Sequence, residues 1–169
     1  AWHMLARAGV RPGMRVLVHA AGSGVSSAGI QIARLLGADV ITTAGSPQKC
    51  ARAKDLGATH AINYKAGDFA AEVRAIAGRE GIDVVFDHVG ADVFGPSLRL
   101  LKRGGAYVTC GTTSGNRIDL DLRYVFFKNL SILGSTMGTQ GEVARVIDLV
   151  GQGRLRPVLD RTFPLDAAA

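Results

Sequence analysis

The chain has 169 residues, of which 47% are hydrophobic and 20% are charged, a balance typical of one folded domain with its own core. Its net charge of +6 is scattered without a basic run or interleaved aromatic residues, so we predict no nucleic-acid partner. No apolar run is long enough to span a bilayer, and no charged-then-apolar leader precedes the first strand of the pattern. We therefore predict no membrane partner and a cytoplasmic location.

The first predicted unit is a strand, a turn of small residues and a helix. Residues 16–18 are apolar and indicate a buried strand, residues 20–24 are small, and apolar residues from Val25 onwards recur at helical spacing. This order is typical of a dinucleotide-binding fold, because a small turn lets the backbone approach a pyrophosphate at the helix N-terminus. Gly22 and Gly24 predict a third glycine where Ser27 stands, so a turn without a ligand remains the alternative.

Strands and helices alternate through the rest of the chain. We predict a helix tail over 1–8, strands over 40–43, 61–64, 82–87, 106–110 and 130–134, helices over 47–56, 68–77, 93–102 and 141–150, and a looser stretch over 111–129. The alternation predicts an α/β fold, a doubly wound, mainly parallel six-stranded sheet with helices on both faces. Ligands of such sheets bind beyond the carboxyl ends of the strands.

The end of the second strand bears on the choice of cofactor. An NAD-selective fold usually places an acid there to hold the ribose 2′-hydroxyl, but residues 42–49 contain none. Ser46 and Lys49 instead flank a helix N-terminus, which favours a phosphate group. We therefore predict NADP(H) over NAD(H). The alternative is that Ser46 is only a helix cap and Lys49 only a solvated surface residue.

A series of short motifs occurs in a fixed order along the chain: His19–Val25, Gln31–Ala33, Leu36–Ala38, Ala44–Ser46, Leu56–Ala58, Ile62–Tyr64, Asp87–Gly90, Gly104–Gly105 and Leu133–Met137. Together they resemble the cofactor domain of the medium-chain dehydrogenase/reductase superfamily, in particular its zinc-type alcohol dehydrogenase and quinone oxidoreductase branches. The resemblance implies an NAD(P)-binding Rossmann domain over 1–169. Residues 1–10 would end a crossover helix, and residues 155–169 would begin the return to a GroES-like catalytic domain that we expect on the N-terminal side.

The resemblance also implies a function and a set of contacts. The function is hydride transfer between nicotinamide and an alcohol/carbonyl or quinone/enone substrate, with this chain supplying cofactor binding and being inactive alone. Implied pyrophosphate contacts are Ala21, Gly22, Ser23, Gly24, Val25 and Ser26, and implied ribose and 2′-phosphate contacts are Ser46, Lys49 and Tyr64. The implied track towards nicotinamide comprises Val89, Gly90, Cys110, Gly111, Thr112, Ser135, Thr136 and Met137. A homodimer would pair the last strands over roughly Ser131 to Thr136.

A non-enzymatic NADPH-binding module, regulatory or structural, is the alternative function. We predict no catalytic residue in the chain, because each candidate has a more ordinary explanation. Asp87 and His88 are strand neighbours that point to opposite faces, and His19 is expected to be a satisfied buried imidazole. His3 has no predicted partner.

Two other kinds of site are disfavoured by the sequence. Tyr124 and Lys128 have the spacing of a catalytic pair known in short-chain dehydrogenases, but their segment is not predicted to be helical. Cys50 and Cys110 match no metal-ligand spacing, so we predict two free thiols and no metal. Zinc, where the family uses it, is expected only in the catalytic domain.

Overall fold

The computed structural model describes residues 1–167, in which helices and strands alternate. The elements are α1 Trp2–Arg7, β1 Arg15–Val18, α2 Gly24–Leu35, β2 Asp39–Ala44, α3 Pro47–Asp55, β3 His60–Asn63, α4 Phe69–Ala77, β4 Ile82–Asp87, α5 Ala91–Leu100, β5 Leu101–Thr109, α6 Leu122–Lys128, β6 Ser131–Gly134 and α7 Gln140–Gly151. A short 3-10 turn follows at Leu165–Ala167.

The six strands form one sheet in the order β3-β2-β1-β4-β5-β6, and every neighbouring pair is parallel. The doubly wound α/β prediction is confirmed, with a sheet that is wholly rather than mainly parallel. Thr42, Val18, Phe86 and Val108 lie in register across its four inner strands. The strand order reverses between β1 and β4, which makes the carboxyl end of that pair the topological switch point.

Successive residues of each inner strand point to opposite faces, and both faces are covered. Val16 and Val18 contribute to a core that includes buried residues of α1, α2, α3 and α7. Leu17, between them, belongs to a second core with α4, α5 and the partly buried Val125 of α6. Helices therefore lie on both faces as predicted. This double coverage explains why the central strands are apolar runs without polar alternation.

The start of β5 differs from the prediction. The predicted strand over 106–110 starts after Gly104 and Gly105, but β5 begins at Leu101 and passes through both. The pairing jumps from Ile82↔Leu101 to Val84↔Ala106, so three additional β5 residues form an irregularity opposite β4. Gly104 has a φ of 75°, which a glycine adopts without strain. The glycine pair marks a bulge within the strand and not its beginning.

Helix α6 lies in the stretch that was predicted to be loose. Asp121 caps its N-terminus by accepting a hydrogen bond from Arg123 N at 2.9 Å. Asn129 ends the helix in the left-handed conformation. The sequence did not predict this helix because it is only seven residues long and shows no full hydrophobic period. Phe126 and Phe127 are also exposed at its surface.

Candidate cofactor-binding site

The turn between β1 and α2 forms an anion-binding geometry at the switch point. Ser23 caps the helix, its side chain accepting a hydrogen bond from Ser26 N at 3.1 Å. Among residues 1–167, the amides of Gly22, Gly24 and Val25 donate to no protein acceptor. Three free N–H groups at the positive end of a helix dipole bind a phosphate without further side chains.

Strand β2 holds this turn in place. The amide of Ala20 donates to Thr43 Oγ1 at 3.1 Å, and that of Ala21 donates to the Thr43 carbonyl at 2.8 Å. Ala20 has a φ of 55°, a left-handed conformation that costs a non-glycine residue roughly 1 kcal/mol. These two hydrogen bonds, both accepted by Thr43, stabilise that conformation, which turns the chain sharply from the strand into the helix.

The glycines leave room for a ligand at the turn. A Cβ added to Gly24 would meet no atom within 4 Å, so open space lies over it. A Cβ on Gly22 would lie 3.1 Å from Cδ and 3.5 Å from Nζ of Lys49. The Lys49 side chain therefore extends from α3 across the turn, which brings its charge to the free amides. The residues present fit a dinucleotide pyrophosphate.

The first turn of α3 forms the second part of the site. Ser46 caps this helix by accepting a hydrogen bond from Lys49 N at 3.3 Å, which confirms its predicted capping role and leaves its hydroxyl proton free to donate. Pro47 has no N–H, so the amide of Gln48 is the first one that the turn offers. Tyr64 follows β3 and covers the loop: a Cβ on Gly45 would lie 2.7 Å from its hydroxyl oxygen.

No acid stands at the end of β2. Asp39 lies at the opposite end of that strand, where its carboxylate accepts a hydrogen bond from Arg15 Nε at 3.1 Å. The Thr59 and Arg15 hydrogen bonds outweigh burial and hold the pKa of Asp39 below its usual value. Asp39 is therefore bound to Arg15 at the amino ends of the strands and is not a ribose ligand.

Beneath the next loop, Asp87 is a fully buried carboxylate at the end of β4. It accepts hydrogen bonds from Val89 N at 2.8 Å, Gly90 N at 3.0 Å and the Tyr107 hydroxyl at 2.7 Å. Burial and this carboxylate raise the pKa of Tyr107. Asp87 thus shapes the loop that carries Val89 and Gly90, and all of its contacts are structural.

His88 lies in the Asp87–Gly90 segment singled out from the sequence but was not assigned a contact, and it touches the turn between β1 and α2. Its Nε2 lies 2.9 Å from the hydroxyl oxygen of Ser23, the residue that caps α2. His88 follows β4 directly, and the carboxyl ends of β1 and β4 are neighbours. Ser23 and His88 are 65 residues apart, so the sequence alone does not show their contact. The pairing of β1 with β4 is the signal that could have identified it.

The loop after β5 is fastened to the loop after β4. Ser114 donates from its amide and its hydroxyl to the Val89 carbonyl at 2.7 and 2.9 Å. Gly90 has a φ of 95°, and a Cβ there would lie 2.6 Å from the Gly115 carbonyl and 3.0 Å from Cα of Thr112. Only glycine fits such an approach, so Gly90 and Thr112, both predicted contacts, are brought together.

Beyond β5 and β6 the sheet edge opens into a cleft of about 580 Å³. Five predicted contact residues line it: Val25, Cys110, Ser135, Thr136 and Met137. Trp2, Met4 and the apolar face of α7 complete the walls. Burial raises the pKa of the Cys110 thiol, which keeps it protonated. The predicted contacts therefore lie along the carboxyl ends of the strands, from Tyr64 beyond β3 to Met137 beyond β6.

Three other histidine and lysine candidates have structural partners. His19 is buried between Thr43 Oγ1 at 3.2 Å and Ser97 Oγ at 2.8 Å, and burial lowers its pKa to about 4. His3 does have a partner, Glu142, at 3.0 Å. Lys128 and Tyr124 do share a helix, contrary to the prediction. Lys128 Nζ donates to the Arg99 and Leu101 carbonyls, at the amino ends of the strands and away from the turn between β1 and α2.

Neither a metal centre nor a membrane span is found in the part of the chain that is described. No group of three or more His, Cys, Asp and Glu side chains within 1–167 is arranged to hold a metal ion. None of the helices over the same residues has the length and apolar character needed to cross a bilayer.

Comparison with known proteins identifies the family. A profile described as zinc-binding dehydrogenase matches residues 24–152, which is most of the chain. The chain belongs to this family. The match confirms the resemblance to the medium-chain dehydrogenase/reductase superfamily. The described residues do not supply a zinc site, so no step of chemistry in this chain is assigned to that metal.

Three relatives show the extent of the similarity. The 2-haloacrylate reductase of a Burkholderia species is 38% identical over 95% of this chain and 51% of its own length. An NAD-dependent alcohol dehydrogenase of known structure is 46% identical with a TM-score of 0.86, over 92% of this chain and 46% of its own. The Escherichia coli quinone oxidoreductase, solved with NADPH, is 30% identical with a TM-score of 0.82, over 94% and 52%. The chain spans about half of each.

Proposed function

We propose that this chain binds a nicotinamide dinucleotide for an oxidoreductase that transfers hydride to or from an alcohol/carbonyl or quinone/enone substrate. The observation that carries the proposal is the set of free amides at Gly22, Gly24 and Val25, at the N-terminus of α2 and at the switch point of the sheet. The relatives named above are a reductase, an alcohol dehydrogenase and a quinone oxidoreductase, which supports the reaction class.

In this proposal each loop at the carboxyl ends of the strands binds one part of the cofactor. The turn from Ala21 to Ser26 holds the pyrophosphate, and the Ser23–His88 contact fixes that turn against β4. Val89 and Gly90, with the Cys110–Thr112 loop, bind the middle of the cofactor. Ser135 to Met137 line the cleft in which the nicotinamide lies. The bound cofactor would supply or accept the hydride, and the protein orients it and excludes water.

We further propose a preference for NADP(H). Lys49 extends across Gly22 from a helix whose first turn offers the Ser46 hydroxyl, and residues 42–49 contain no acid that would repel a 2′-phosphate. The relatives do not decide the point, because one is named as NAD-dependent and another is solved with NADPH. The preference therefore rests on this chain's own residues.

The complete reaction requires partners in the proposal. A GroES-like catalytic domain would close the apolar cleft between α1 and α7, which is consistent with relatives about twice as long as this chain. A second copy would pair with β6, an edge strand of the sheet on which Ile132 is 41% exposed. The chain alone would bind cofactor with little or no turnover.

Calorimetric titration with NADPH and NADH, each at two salt concentrations, tests the proposal. We expect NADPH to bind at least tenfold tighter, about 1.4 kcal/mol, with a preference that salt weakens. Lys49→Ala should remove most of that preference. Lys54→Ala is the matched control, since Lys54 is an exposed lysine of the same helix at its opposite end. Equal binding of the two cofactors refutes the preference, and binding of neither refutes autonomous cofactor binding.

A further inference from the structure

A second, strongly basic cleft lies at the amino ends of the strands, opposite the proposed cofactor site. It has a volume of about 730 Å³ and lies where α4, α5 and α6 end and β5 begins. Six cationic side chains line it: Arg74, Arg79, Arg99, Lys102, Arg103 and Lys128. The predicted dinucleotide contacts all follow the other ends of the strands, so this cleft takes no part in the proposed cofactor site.

The positive charge of this cleft is largely uncompensated. Among the residues described, the side chains of Arg74, Arg79, Arg99 and Arg103 make no hydrogen bond and no ion pair. Lys102 is paired with Asp83. The one carboxylate in the lining, Glu80, approaches Arg15 at 4.0 Å, outside the group of four arginines.

Helix dipoles account for part of this charge only. Arg74, Arg99 and Lys128 stand in the last turns of their helices, where a cation interacts favourably with the free carbonyls. Lys128 does so directly, donating to the Arg99 carbonyl at 3.0 Å and the Leu101 carbonyl at 2.7 Å. Arg79 and Arg103 occupy a turn and a strand, so no helix end explains them.

The shape and chemistry of the cleft match a particular class of ligand. Its volume falls within the range of small-molecule sites, roughly 300–1,000 Å³. Guanidinium groups bind phosphate oxygens through two parallel hydrogen bonds, and several of them around one cleft repel each other until an anion is bound. We propose that this cleft is a binding site for a small anion that carries several phosphate groups.

The site is tested with inorganic tripolyphosphate in calorimetric titrations of the 169-residue chain. The double variant Arg79→Ala/Arg103→Ala removes two exposed side chains without partners, so its thermal unfolding should equal that of the parent. The control variant Arg7→Ala/Lys54→Ala removes two exposed charges that belong neither to the cleft nor to the proposed cofactor contacts. We expect the tightest tripolyphosphate site of the parent chain to weaken at least tenfold in the cleft variant and to change less than twofold in the control. A second, weaker site at the β1–α2 turn agrees with the proposed cofactor site.

Three outcomes overturn the proposal: no binding to the parent chain, loss of binding in the control variant only, or equal loss in both. Equal loss would mean attraction by net charge alone. Citrate, an anion of similar charge without phosphate, should bind at least tenfold more weakly, and equal binding would overturn the phosphate assignment. Adenosine triphosphate identifies the source: tighter binding than tripolyphosphate indicates a nucleotide, and weaker binding indicates free polyphosphate.

The cleft and the cofactor site are tested independently. NADPH affinity of the Arg79→Ala/Arg103→Ala variant should stay within twofold of the parent. Failure of tripolyphosphate binding would leave the dinucleotide proposal standing, and failure of NADPH binding would leave the cleft standing.

Discussion

Removing the Tyr107 hydroxyl should measure what the buried Asp87 network contributes. Tyr107→Phe keeps the ring, which packs 4.8 Å from Phe94 between centroids, and deletes only the donor at 2.7 Å from Asp87 Oδ2. Both residues are at most 1% exposed, so water cannot replace the bond. A buried hydrogen bond to a charged group contributes about 1.5–3 kcal/mol, and we expect a loss of about 2 kcal/mol in the free energy of unfolding.

Urea unfolding followed by circular dichroism gives this quantity, with an unchanged dependence on urea concentration. In a chain of this size the loss corresponds to a midpoint temperature lower by about 4–8 °C. NADPH affinity should fall less than threefold, because the Val89 and Gly90 amides still bind Asp87. Tyr124→Phe is the control, since its hydroxyl makes no hydrogen bond within the described residues. Equal stability of the two variants would refute the reasoning.

Three further expectations concern pH, a helix cap and assembly. Burial lowers the pKa of His19 to about 4, so as pH falls the unfolded chain takes up a proton before the folded chain does. The free energy of unfolding should therefore drop by about 3 kcal/mol between pH 6.5 and 4. In urea unfolding at a series of pH values, the His19→Gln variant should lack this pH-dependent loss. Thr139→Ala removes the hydroxyl of the α7 capping box that accepts a hydrogen bond from Glu142 N at 3.2 Å. The free energy of unfolding, measured by the same urea assay, should fall by about 1 kcal/mol, whereas Thr139→Ser should leave it unchanged. Ile132→Lys places a charge on the exposed edge strand, and sedimentation should detect monomers where the parent chain forms dimers; a monomeric parent would contradict the proposed interface.

The parts of the fold that the sequence predicted are those encoded locally. β4 has the predicted bounds, 82–87, because its apolar run is flanked by a glycine turn and a new helix. Ser46 and Pro47 marked the start of α3 because a cap acts within one turn. Helix α5 begins at Ala91, two residues before the prediction, after Gly90, which offers no side-chain cap that could mark its start in the sequence.

The candidate site divides in the same way. Which residues follow the strands could be predicted, since parallel strands end at a common edge. Which of them touch could not. The Ser23–His88 contact joins residues 65 apart, and Lys49 reaches Gly22 from a different helix. His3 and Glu142 are 139 residues apart and meet only because α1 and α7 pack on the same face. The basic cleft likewise brings together arginines that are scattered along the chain.

The strand order has a consequence for how the molecule comes apart. β3, β2 and β1 form one locally connected half of the sheet, and β4, β5 and β6 form the other. The two halves meet where β1 pairs with β4 over Val16, Leu17 and Val18. The turn between β1 and α2 ends one side of this seam, and Asp87 at the end of β4 ends the other. Parting of the seam therefore dismantles the site while each half keeps its own strands paired, and a ligand bound across it holds the two halves together.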